Sequence, residues 1–123
     1  MGKKRFVQPN VVRLELSDQD WIEVKERLTY AENQRLYGGM VHSLKGDTDD
    51  RELGLDLARF NLLRLETWIV DWSFRDANDK PVPVSRAAIE NLDPDTAQEI
   101  DEALEGHLVN LAAKKVLASA GTS

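Results

Sequence analysis

The chain has 123 residues, 41% hydrophobic and 31% charged, which suits one globular domain with a core of its own. Zero cysteines exclude disulfides, thiolate catalysis and cysteine-held metals. A net charge of −6, with Lys3, Lys4 and Arg5 as the only basic cluster near the start, argues against nucleic acid as a partner, and no apolar run is long enough for a membrane span or secretory signal.

Residues 1–10 read as a flexible arm. From Val11 the pattern alternates, with Val12, Leu14 and Leu16 facing one way and Arg13 and Glu15 the other, which predicts a strand. Ser17 to Asp20 is turn chemistry, and Trp21 to Lys25 alternates again, so the two runs read as a β-hairpin. The rival reading is a helix from Ser17 with Asp20 as a partial capping box. A full T-x-x-E box at Thr29 and Glu32 places the helix start near Tyr30 instead and favours the hairpin.

The helix after Thr29 should turn Leu36, Met40 and Leu44 inward, with Tyr37 and Val41 beside them. Gly38 and Gly39 weaken it by about 1 kcal/mol each and mark a kink or a close approach of another helix. Gly46 to Asp50 reads as an acidic loop. Between Leu53 and Phe74, Leu55, Ala58, Leu62, Leu65, Ile69 and Trp72 follow at steps of three and four, the stripe of a central apolar helix. Asn78 and Asp79 signal a turn, and Pro81 and Pro83 an extended segment. Ser85 caps a short helix. Asp93 caps the last one, which runs from Pro94 to about Leu117 with Ala97, Ile100, Leu104, Leu108 and Leu111 as its stripe; residues 118–123 fray. The expected fold is a mainly α single domain over residues 11–117, of about four helices around the central helix, with a small N-terminal β-hairpin.

Reacting groups are sparse. His42 and His107 have no ligand partner at i+3 or i+4, and His107 reads as a structural histidine of the last helix. A calcium loop opening at Asp47 and Asp49 fails where glycine is needed, at Glu52, and where a bidentate acid is needed, at Ala58. Ser17, Ser43, Ser73 and Ser85 sit in no nucleophile elbow. Seven acids between Glu90 and Glu105 occur with no base among them, on helix starts and turns where capping and solubility account for them. No catalytic residue, metal ligand or cofactor contact is nominated. The three tryptophans carry more information: Trp68 and Trp72 fall one helical turn apart, and with Trp21 they are the candidate anchors for a protein partner, the alternative being core.

The strand-like VVRLELSDQDWIEVK leading into RLTYAENQRL, the helix ending ETWIVDW, the turn with KPVPVS, and IENLDPDTAQEIDEAL together resemble the small tail assembly chaperones of long-tailed bacteriophages and prophages. The resemblance spans most of residues 11–111; Asn78 and Asp79 stand where the family has a glycine. It implies a non-enzymatic protein of the bacterial host cytoplasm that binds the tape measure protein and recruits tail tube subunits, with self-association left open and neither nucleic acid nor membrane as a partner. The alternative is a small structural protein of the tail, neck or capsid that is retained in the virion.

Overall fold

The structure, a computed structural model, describes residues 5–44 and 50–120, and the side chains of 5–38 and 57–115. The expected calcium-loop residues Asp47 and Asp49 lie outside the described residues, as do the side chains of Met40, Val41, His42, Leu44, Leu53 and Leu55. In chain order the elements are β1 (Val11–Glu15), β2 (Trp21–Lys25), α1 (Tyr30–Leu44), α2 (Asp50–Trp68), β3 (Ile69–Trp72), α3 (Arg86–Glu90) and α4 (Pro94–Ala120).

The two N-terminal strands pair antiparallel, with Val12 opposite Val24 and Leu14 opposite Ile22. Directly opposed residues share a face, so the inner face carries these four side chains. Ser17–Gln19 closes the hairpin as a single 3₁₀ turn in which Asp18 (φ 56°) and Gln19 (φ 65°) adopt left-handed backbone. The expected hairpin is thus only part of a larger element. β3 adds to the free edge of β2 to give a three-stranded antiparallel sheet in the order β1-β2-β3. The described residues form a mixed α/β fold, four helices with a three-stranded sheet, and not the mainly α domain expected.

The correction has one local cause. Ile69 and Trp72 are three apart, which on a helix places them on one stripe but on a regular strand places them on opposite faces. Ile22 opposes Trp72, Glu23 opposes Asp71, and Val24 opposes Ile69, so Val70 is an extra residue in a β-bulge. The bulge lets Ile69 and Trp72, each about 5% exposed, both face the core while Val70 and Asp71 face solvent. The helix therefore stops at Trp68, and Ala58, counted on its inward stripe, is exposed.

The core joins the inner sheet face to Leu36 of α1, Leu65 and Trp68 of α2, Ile89 of α3, and Ile100 and Leu104 of α4. The centre of the molecule is this sheet-and-helix layer and no lone helix. α4 lies along the hairpin and is pinned near its start and at its middle. Near its start, Glu99 accepts hydrogen bonds from the Ser17 amide (2.8 Å) and hydroxyl; two turns on, His107 Nε2 lies 3.1 Å from both the Lys25 and Glu26 carbonyls. Arg64 of α2 reaches Glu105 of α4 at 2.6 Å.

Caps fix the helix starts. Thr29 and Glu32 form a reciprocal box, each backbone amide donating to the other's side chain. The Ser85 hydroxyl accepts from the Ala88 amide, and Asp93 accepts from the amides of Asp95 and Thr96. At Gly38 an added Cβ would meet nothing within 4 Å, so no close approach of another helix accounts for that glycine, while Gly39 lies outside the described side chains.

Candidate functional site

Two surfaces stand out, and the outer face of the sheet is the first. The residues that alternate away from the core are Val11, Arg13 and Glu15 on β1, Trp21, Glu23 and Lys25 on β2, and Val70 at the bulge. The Arg13 guanidinium sits 3.8 Å from the centre of the Trp21 ring and bonds Glu23 at 3.4 Å. Lys25 pairs with Glu32 across to α1; this contact, followed by the Thr29 amide, holds the Glu32 carboxyl below the usual range. Around that ion pair Val7, Val11 and Val70 are 37%, 46% and 45% exposed and wall a shallow depression of about 340 Å³. Three aliphatic side chains and Pro9 on one rim form an apolar shelf with an ion pair at its centre.

The second surface is a cleft of about 590 Å³ at the turn end of the hairpin, between that turn, the strand end after Trp72, and the α3–α4 corner. Its apolar floor is Leu16, Phe74, Val82 and Leu92, and its rim carries Asp18, Asp20, Asp93, Asp95 and Glu99 against one base, Arg75. Several of these acids are engaged. Asp20 accepts from the Ser73 hydroxyl, Asp93 caps α4, and the Ser17 bonds hold the Glu99 carboxyl below its ordinary range, the backbone bond most strongly. Arg75 is tied to the Asp79 carbonyl at 2.9 Å, in a turn where Asp79 supplies the left-handed residue (φ 59°). The carboxylates of Asp18 and Asp95 accept no hydrogen bond from the described residues and point their charge at solvent.

The tryptophans nominated from the sequence do not come together on one surface. Trp68 and Trp72 are each at least nineteen-twentieths buried. Trp72 donates from Nε1 to the Val82 carbonyl at 2.6 Å, whereas Trp68 Nε1 has no partner among the described residues and its ring packs edge-on against His107. Trp21 is half-buried beneath Arg13, opposite Glu15 at the turn end of the hairpin, whereas the apolar shelf lies at its open end. Neither indole of the Trp68–Trp72 pair presents a face to a partner in this conformation.

No family model matches the chain, and no curated protein or solved structure is similar to it. Among the described residues no three His, Asp or Glu side chains converge as a metal site, and no helix is long and apolar enough to cross a membrane. His107 is spent on the hairpin carbonyls. Asp101 on α4 has a buried Oδ1 without a partner among the described residues, and burial pushes its carboxyl up, against the pull of Arg64. It belongs to neither surface. Sequence reasoning missed the shelf, although its signal was present: Val11 is an apolar residue at an outward position of an alternating strand, and Val70 is one beside it.

Proposed function

We propose that the protein is a non-catalytic binding protein, a tail assembly chaperone of a long-tailed bacteriophage or prophage, that covers an apolar stretch of the tape measure protein and recruits tail tube subunits. The observation that supports this is the outer sheet face. A sheet of three short strands normally buries one face and solvates the other, yet here Val7, Val11 and Val70 stand together on the solvent side. Grouped apolar side chains rimmed by charge mark a protein-binding surface. The mechanism is stoichiometric: the shelf takes an amphipathic segment that would otherwise aggregate, and the ion pair at its centre offers polar atoms to the segment's margin. The sequence resemblance over residues 11–111 supplies the partner class.

The test is co-expression with the tape measure protein encoded beside it, followed by affinity capture. The expected result is co-purification that the double variant Val11→Asp, Val70→Asp weakens at least about tenfold while keeping the fold by circular dichroism. Co-purification with a head or neck protein alone, or unchanged capture by the variant, would overturn the proposal. Stoichiometric presence in purified particles would instead make the chain a structural component of the virion.

A further inference from the structure

We propose that the acidic cleft receives residues 3–7 of a second copy of this chain, so that the protein self-associates head to tail. Lys3-Lys4-Arg5-Phe6-Val7 carries three positive charges followed by two apolar residues. The cleft offers the complement, five carboxylates and one guanidinium on the rim and an apolar floor beneath them. Phe6 is 85% exposed where it stands, a large aromatic side chain with no cover of its own. Opposite charge gives register and encounter rate, and burial of the ring gives the affinity.

Reach decides that the occupant comes from another copy. The chain is held at Asn10, whose carbonyl accepts from the Glu26 amide at 2.9 Å. Residues 5–7 lie beside Glu26 and Arg27, at the open end of the hairpin, and the cleft is at its turn end. From Asn10 to Leu16 the strand runs about 20 Å. Phe6 is four residues from Asn10 and reaches at most about 14 Å, so it cannot lie on the floor of its own cleft. A donor segment at one end and an acceptor cleft at the other make a heterologous contact, which closes into a ring or grows as an open chain. This inference stands apart from the chaperone reading, because its donor shares only Val7 with the shelf and it needs no phage partner.

Analytical ultracentrifugation of the full chain tests it. At about 50 mM salt the wild type is expected to form concentration-dependent oligomers that dissociate at about 500 mM, where charges are screened within a few ångströms. Reversing the donor (Lys3→Glu, Lys4→Glu, Arg5→Glu) or discharging the cleft (Asp18→Asn, Asp95→Lys) should each give monomers with unchanged circular dichroism. Mixing the two variants should restore a one-to-one complex, because the first keeps an acidic cleft and the second a basic donor. Phe6→Ser, outside the folded core, should weaken association at least about tenfold. A wild type that is monomeric at low salt, oligomers that survive donor reversal, or a mixture that stays monomeric would each overturn the proposal. Unchanged self-association alongside loss of tape measure binding would fault only the chaperone reading.

Discussion

Deleting Val70 tests the bulge that sets the whole third strand. The side chain itself is half exposed, so Val70→Thr should stay within about 0.5 kcal/mol of wild type. Removing the residue leaves Trp72 opposite Ile22 and Asp71 opposite Glu23, and places Ile69 directly before Asp71, so a regular two-residue period keeps Ile69 opposite Val24 on the core face. α2 then keeps its register, and Leu65 and Trp68 stay packed. The expected loss is therefore about 1 kcal/mol or less. Were Val70 in register with β2 instead, its loss would turn the residues before it to the other face, at about 1.5–3 kcal/mol for each apolar side chain displaced plus a cavity term. Urea unfolding followed by tryptophan fluorescence reads the difference directly, since Trp68 and Trp72 flank the deletion. A deletion mutant that loses more than about 3 kcal/mol would refute the bulge as the device that brings Ile69 and Trp72 to one face.

Other expectations follow from single contacts. Gly38→Ala should stabilise the protein by about 0.5–1 kcal/mol in thermal unfolding, since the site has room for a Cβ and sits inside α1. Leu104→Ala, at a fully buried position, should cost about 2–5 kcal/mol in urea. Replacing His107 by Leu strips a donor from the Lys25 and Glu26 carbonyls and should cost about 1–3 kcal/mol, read by the same method. Glu32 has a folded pKa below its unfolded one, so its contribution is present above the ordinary carboxylate range and lost as pH falls through the depressed value; Glu32→Gln should flatten the acid limb of a Tm-against-pH curve. Asp101 is the opposite case: its raised pKa means that ionisation in the fold is opposed, so Asp101→Asn should stabilise the protein at neutral pH by less than about 1 kcal/mol, read as a raised Tm, with the gain fading as pH drops below the carboxylate range.

The helix starts were legible because capping is local. Thr29 with Glu32, Ser85, and Asp93 with Pro94 each declare a helix within four residues, and the observed starts at Tyr30, Arg86 and Pro94 follow them. The hairpin was legible for the same reason, since alternation and turn chemistry sit in one continuous stretch. The third strand was hidden. A bulge converts a period of two into a spacing of three, and a spacing of three beside a genuine helix reads as one more turn of it. Nothing local distinguishes the two; the partner strand β2, more than forty positions away in sequence, decides. Burial of Trp68 and Trp72 was open for a related reason: a sequence shows that an indole is large and apolar, and only the covering elements show whether solvent reaches it. The cleft was half legible. Its acids stand out as a block without a base, but Asp18 and Asp20 join Asp95 and Glu99 only because α4 lies along the hairpin.

The order of the strands also has a consequence for how the chain matures. β2 and β3 are neighbours in space but are separated by residues 26–68, and the cover over the hairpin, Ile100 and Leu104, comes later still. As the polypeptide leaves the ribosome, the hairpin can zip early, yet for most of synthesis its apolar side has nothing to rest against. Such late, long-range closure slows folding and makes it all-or-none. A nascent chain halted before α4 would expose Ile22 and Val24 and would be a substrate for holding factors and proteases, so the last third of the protein is the latch on which survival of the first two-thirds depends.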